Sequence, residues 1–183
     1  MGKTASDIIN KALSFVGMME DPKGSNIIQF TLDYFDGKLP ANPAASCPWC
    51  VIFGWDVFRM CGASDLFFDG KKVGSCTQVL RWATANNLTV DKNKAQYGDI
   101  LLFDWNKDTA PDHFGFALAA PNNGKIQTVE GNTDDGVFQK TRSMSDVGYV
   151  IRPRYAGSKY PSLETLQRMY DYLCKTYDIL KGE

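Results

Sequence analysis

Apolar residues Ile8, Ile9, Ala12, Leu13 and Val16 recur at helical spacing, and Gly17 follows as a stop. The pattern predicts a first helix there and a second, short one from Ser25-Asn26 carrying Ile28, Leu32 and Phe35. The stretch 37–48 holds three prolines and reads as loop. From Trp49 to Met60 the pattern changes: Val51, Ile52, Phe53, Trp55, Val57 and Phe58 leave almost no polar side, and Gly62 follows. A run of that length without a polar face predicts a helix buried on most sides rather than a strand. Ser75 stands where it can cap another helix, with Val79, Leu80 and Ala83 as its inner face.

Beyond residue 98 the period shifts toward strands. Gly98 to Phe103 reads as a buried strand, His113 to Ala119 as a second and Lys125 to Val129 as a third. Gly136 to Thr141 and Tyr149 to Arg152 are shorter ones, and Pro121-Asn122-Asn123-Gly124 carries a hairpin signature. Helices first and strands afterwards predict an α+β fold with an antiparallel sheet. Tyr160-Pro161-Ser162 then opens a last helix whose Leu166, Tyr170, Leu173, Tyr177 and Leu180 form an a/d stripe. The expected division is a main domain over residues 1–157 and an amphipathic helix over 158–183. That helix is expected to dock on its own domain, to support a weak homodimer or to be the neck of a missing module, with no part in catalysis.

Composition narrows the classes. A chain of 183 residues with 44% hydrophobic and 22% charged residues has enough apolar matter for one ordinary core without staples. Twenty basic and 21 acidic residues leave no footprint for nucleic acid or a polybasic membrane contact. No run approaches the roughly 18 apolar residues of a membrane span. The opening residues lead into a polar-interrupted helix rather than an apolar signal core, so synthesis in the cytoplasm without a signal peptide is expected. Five cysteines at irregular spacing make a poor disulfide framework, and His113 is the sole histidine.

The candidate chemistry starts at Cys50. It follows a proline-containing loop and opens the buried helix, where the helix dipole and unpaired amides favour thiolate. A buried structural thiol would occupy the same position equally well. His113 opens one predicted strand, and Glu130 and Asn132 end the next. Two residues apart in a strand, Glu130 and Asn132 are expected to leave the same face, and an antiparallel hairpin brings that end beside His113. Nucleophile, base and base-orienter are then at hand, with the orienter either Glu130 or Asn132.

The pieces resemble, in order, those of CHAP domains, the cysteine- and histidine-dependent amidohydrolase/peptidase family. Pro48-Trp49-Cys50-Val51-Ile52-Phe53-Gly54-Trp55 is similar to the cysteine motif, and the helix from Ser75 to Ala83 to the one after it. Asp112-His113-Phe114-Gly115, Val129-Glu130-Gly131-Asn132-Thr133 and Gly148-Tyr149-Val150-Ile151-Arg152-Pro153 resemble the histidine strand, the following polar pair and the closing strand. The resemblance spans about Thr4 to Tyr155. It implies a papain-like fold and hydrolysis of an amide bond in bacterial peptidoglycan, either N-acetylmuramoyl–L-alanine or a peptide bond. Cys50, His113, Glu130 and Asn132 would be the catalytic set, Glu130 being preferred as orienter. Some relatives carry calcium on an acidic loop; Glu20-Asp21-Pro22-Lys23-Gly24 does not match one, so no metal and no cofactor is expected.

Cys47-Pro48-Trp49-Cys50 is also a CxxC, and a thiol–disulfide oxidoreductase is the alternative reading. That fold needs a strand running into the motif, where this chain has Pro40 to Ser46. Zinc binding lacks a second close cysteine pair. Trp49, Trp105 and Tyr97 are candidates to line a groove, with core packing the default for Trp49. A wall substrate without an export signal suits a phage or prophage lysin released through a separate membrane pore. It also suits a fragment of a longer exported chain.

Overall fold

The fold was analysed in a computed structural model that describes residues 2–157. The C-terminal stripe from Leu166 to Leu180 lies outside the described residues. Helix α1 (Ala5–Leu13) starts at a capping box. Thr4 Oγ1 accepts from the Asp7 amide at 3.2 Å, and Asp7 Oδ2 accepts from the Thr4 amide at 2.8 Å. Helix α2 (Gln29–Tyr34) is present but starts later than the expected Ser25-Asn26, with Ile28 at its N-cap and Phe35 at its C-cap. The stretch expected to be loop contains a single helical turn, α3 (Pro43–Ser46). Pro43 opens it, because a fixed φ suits the first helical position, and Ser46 Oγ donates to the Asn42 carbonyl at 2.6 Å. Counting prolines as breakers misses this use of them.

Helix α4 (Cys50–Met60) is buried continuously from Cys50 to Phe58. Helix α5 (Cys76–Ala85) is capped by Ser75, whose Oγ accepts from the Gln78 amide at 3.4 Å. Then come β1 (Thr89–Val90), β2 (Ile100–Phe103), β3 (His113–Ala117), β4 (Lys125–Thr133), β5 (Gly136–Ser143) and β6 (Val147–Ile151). They form one antiparallel sheet in the order β1-β6-β2-β3-β4-β5. This is the α+β architecture expected from the element order. Strand β1 is too short to show a period in the sequence. Strand β3 ends two residues before the expected Ala119, whereas β4 continues past Val129 to Thr133. The predicted hairpin turn is present: Asn122 and Lys125 exchange backbone hydrogen bonds of 2.9 and 3.0 Å across Asn123-Gly124. Both central residues have positive φ, 49° and 69°, as a type I′ turn requires.

The sheet has two apolar sides. Ile100, Leu102, Phe114, Phe116, Val129, Val137 and Ile151 join α4, α1 and α5 in the main core. Leu101, Phe103, Ala117, Ile126, Val147 and Val150 form a smaller cluster on the other side. Helix and sheet meet closely at Gly54, where a Cβ would fall 2.4 Å from Phe114 Cζ. The Phe114 ring is itself held edge-on by Phe67 and Phe116, at centroid distances of 5.9 and 5.2 Å. Replacing Gly54 by Ala would gain about 1 kcal/mol in helix propensity. Overpacking against a ring that cannot retreat costs about 1–3 kcal/mol and wins. Gly54→Ala is therefore expected to lower the unfolding free energy by up to about 2 kcal/mol in a urea titration. An unchanged or raised midpoint would show that the ring can move aside.

Candidate active site

The loop before Cys50 is tied down from the N-terminal segment. Trp49 is fully buried, and its indole Nε1–H donates to Glu20 Oε1 at 2.7 Å. The second oxygen of that buried carboxylate accepts from the Asn26 amide at 2.8 Å. Asn26 in turn donates through its side-chain amide to the Pro43 and Ala44 carbonyls at 3.2 and 3.0 Å. Trp49 is thus core, stacked on Phe30 at 5.7 Å, and not a groove residue. With the loop fixed, Cys50 becomes the first residue of α4, only 6% exposed. First-turn amides have no intrahelical acceptor and point toward the sulfur and the space before it.

His113 opens β3, opposite Phe103 of β2. Its Nε2–H donates to Glu130 Oε2 at 3.1 Å, which leaves Nδ1 for the Cys50 sulfur, its other side-chain partner. Glu130 is wholly buried. Thr128 Oγ1 donates to its Oε1 at 2.5 Å, and Arg142 grips both oxygens, Nε to Oε1 at 3.0 Å and a terminal nitrogen to Oε2 at 2.6 Å. Gly115 makes room for this carboxylate: a Cβ there would lie 2.8 Å from Glu130 Cγ. Trp105, in the loop after β2, stacks on the imidazole at 5.3 Å and 21°, and Arg142 lies 5.7 Å from the Trp105 ring. Tyr97, the third groove candidate, is exposed in the turn before β2.

The electrostatics follow from these contacts. The hydrogen bond from Cys76 holds the Cys50 thiol well below the ordinary range; burial opposes it, and His113 adds to it. Burial also opposes imidazolium, but the hydrogen bonds to Cys50 and Glu130 outweigh it and push His113 up to about 9. Burial works against ionised Glu130 too, yet His113 and Arg142 hold it down to about 2. These shifts favour thiolate at Cys50, imidazolium at His113 and carboxylate at Glu130, with the Arg142 guanidinium behind the carboxylate.

Three of the four expected site residues come together, and the fourth does not join them in the way expected. The same-face argument for Glu130 and Asn132 fails because β4 is irregular there. Pairing with β5 shifts register between Glu130 and Thr133, and Asn132 adopts φ 57°. Strict alternation ends at Glu130, and the Asn132 side chain hydrogen-bonds to no other described residue. The side chain that meets His113 is that of Glu130. Cys47 is buried at the end of α3 with its Sγ 3.9 Å from Ser46 Oγ, and it is not among the partners of Cys50. A helical turn, not a strand, leads into the CxxC, so the redox-pair reading lacks the element it needs. Among the described residues no group of three or more His, Cys, Asp or Glu side chains is arranged to hold a metal ion. No described helix is long and apolar enough to cross a membrane.

Sequence reasoning missed Arg142, Thr128 and the proximity of Cys76. The hairpin register pairs Thr128 with Lys140 and Ile126 with Arg142, so Thr128 and Arg142 share the Glu130 face. Ending the predicted strand at Thr141 hid that parity by one residue.

The acid limb of stability tests the Glu130 clamp. Its folded value lies near 2, below the ordinary 4.5, so its contribution is complete above about 4.5 and is lost as pH falls toward 2. On the alkaline side His113 and Cys50 work in opposite directions, so the acid side is the cleaner one. Urea midpoints measured stepwise from pH 6 to pH 2 should fall for the wild type. Glu130→Gln should flatten that decline; a variant as acid-sensitive as the wild type would remove Glu130 as its source.

A comparison with curated proteins gives no significant match. Among solved structures, the crystal structure of Ly7917 is similar at 15% identity and a TM-score of 0.46, covering 82% of this chain and 63% of that one. Ly7917 with the hydrolyzing product of MDP gives 13% identity, the same TM-score of 0.46 and the same shares. This chain therefore spans 63% of the length of those structures. The CHAP domain family model matches residues 42–132, a span that opens at the cap of α3 and closes at the irregular end of β4. That match, which takes in Cys50, His113 and Glu130, assigns residues 42–132 of the chain to the CHAP domain family.

Proposed function

We propose that this protein hydrolyses an amide bond of bacterial peptidoglycan by cysteine catalysis. One observation carries the reading: Cys50 at the start of a buried helix meets an imidazole whose other nitrogen is held by a clamped carboxylate. CHAP membership supports the wall as substrate. The Cys50 thiolate attacks the carbonyl carbon, and the oxyanion forms near the first-turn amides of α4. His113 gives its proton to the leaving nitrogen, and the amine departs from a thioester. Water then attacks that thioester while neutral His113 takes a proton, and the second collapse releases a carboxylate and restores thiolate and imidazolium. Glu130 holds the ring and its charge through both steps. The bond cut is N-acetylmuramoyl–L-alanine or a peptide bond in the stem or cross-bridge, and the setting we propose is an endolysin acting on the wall after release from the cytoplasm.

Purified protein should clear suspensions of susceptible cells. Cys50→Ala and His113→Gln should each lose on the order of 10³ or more of the rate, whereas Cys47→Ala stays within a few-fold. Loss with Cys47→Ala equal to that with Cys50→Ala would overturn the assignment of the nucleophile. Mass spectrometry of digested wall distinguishes the bonds: a freed lactyl carboxylate means amidase and a new peptide amine means endopeptidase. Finding neither product would end the hydrolase reading.

The pH profile carries a separate expectation. The pair titrates as a unit, and imidazolium persists up to about 9. Cleavage should therefore hold through neutral pH and decline as pH rises through about 9, when the leaving nitrogen loses its proton donor. A rate still rising at pH 10 would exclude His113 as that donor.

A further inference from the structure

The loop from Asp104 to Asp112 carries one indole over the charged side chains of the site. Its base is closed: the Asp112 amide donates to the Phe103 carbonyl at 2.7 Å, and the Trp105 amide to Asp112 Oδ2 at 2.7 Å. Its far side is tied as well. The Thr109 amide donates to Asp104 Oδ2 at 3.1 Å, and the Tyr149 hydroxyl to the Thr109 carbonyl at 2.9 Å. Trp105 is thus fixed in place, although 46% of it is exposed. The ring positions show which face turns inward. The indole stacks on His113 at 5.3 Å and on Phe103 at 6.1 Å, while those two rings are 5.9 Å apart. On opposite faces they would be separated by nearly the sum of their distances from the indole, so they share one face. Arg142 Cζ, 5.7 Å from the indole and 5.8 Å from Phe103, lies on that side too. The other face carries the exposure.

We infer that Trp105 is a positioning residue of the proposed reaction: its inner face lies over both groups that share the Glu130 carboxylate, the His113 imidazole and the Arg142 guanidinium, and holds the imidazole oriented and in its charged form. The inference rests on the hydrolase reading only in taking His113 as the proton donor. Imidazole and guanidinium bond to the same oxygen, Glu130 Oε2, at 3.1 and 2.6 Å. Two cations on one oxygen repel each other at close range. The face of an indole is the negative part of its quadrupole and attracts a cation within about 6 Å of its centre. Both cations lie inside that distance. An aliphatic cover would exclude water equally well and compensate neither charge. The other groups facing the imidazole come from separate elements. Cys50 stands at the start of α4 with Cys76 of α5 acting on it, and Glu130 is on β4. Thr128 and Arg142 lie behind Glu130, and Asp134 and Asp146 act on Arg142. Asp112 is held by a backbone amide of Trp105, so a change of side chain at 105 leaves that bond and all these groups in place.

His113 is the sole histidine, so the imidazole signals in an NMR titration of the whole protein belong to it alone. The wild-type midpoint is expected near 9. Trp105→Leu keeps an apolar cover without a π face and should lower that midpoint by about one unit, a tenfold weaker hold on the proton. Trp105→Met, a second cover of that kind, should do the same and decides if the Leu variant does not fold. Trp105→Phe keeps a π face and should stay within about 0.3 unit of the wild type. A role confined to excluding water predicts a different ranking, with Leu and Met as close to the wild type as Phe. That ranking, or a Phe variant shifted as far as Leu, overturns the inference. The titration needs no wall substrate, so its failure and that of the hydrolase reading are separable. Cleared cells with an unmoved midpoint in the Leu and Met variants overturn the role of Trp105 alone. A midpoint shifted as expected in a protein that cleaves no wall supports the hold of Trp105 on the imidazole and overturns the hydrolase alone.

Discussion

Everything in this fold is arranged around a helix with no surface side. From Cys50 to Phe58 α4 is buried without interruption, so it must be enclosed on every flank. The sheet supplies one flank through Phe114, Phe116 and Val129; α1, α2 and α5 supply the others. Enclosure fixes the helix as a rod whose sides are fully occupied by packing. Its one chemically unsaturated part is the N-terminal end, where the first amides lack acceptors. A buried rod therefore presents a single polar tip, and Cys50 stands on it.

The same enclosure accounts for the charges at that tip. Ions in a poorly hydrated place persist only when each is paired, and here they are paired in series. Thiolate faces imidazolium, imidazolium faces carboxylate, and the carboxylate faces the Arg142 guanidinium. Arg142 is the member nearest water, so the chain of charges has its outer end at the surface. Trp105 covers the imidazole from the solvent side while keeping nearly half its own surface exposed. The ring arrangement thus strengthens the inner pairings by limiting water and leaves an aromatic face at the mouth.

Much of this was legible in the residues. The apolar run after Cys50 favoured a buried helix by its length, and helices before strands pointed to the sheet type. Cys50, His113 and Glu130 stood out as candidates because a helix start and two neighbouring strand ends are local features, with Asn132 left as the equal of Glu130 on position. What the sequence hid was non-local or irregular. Asn132 obeys the two-residue period on paper, but a left-handed residue at a bulge has no period to obey. Arg142 became visible only with the hairpin register, and Cys76 only with the packing of α5 against α4. Pro43 was misread because proline breaks a helix interior yet opens a helix well, and the residues around it do not say which.

The tie between Trp49 and Glu20 bears on where the folding unit begins. The family match opens at residue 42, yet the carboxylate that satisfies the buried indole comes from residue 20, and Asn26 bridges back to α3. At the other end the match stops at 132, before Arg142 and before β6, which lies between β1 and β2 in the sheet. A fragment cut to the limits of sequence similarity would keep Cys50 and His113. It would lose the anchor of the loop in front of the first and the counter-charge behind the second. The unit of homology is thus smaller than the unit of cooperativity, and the flanks least recognisable by descent are those that hold the chemistry in register.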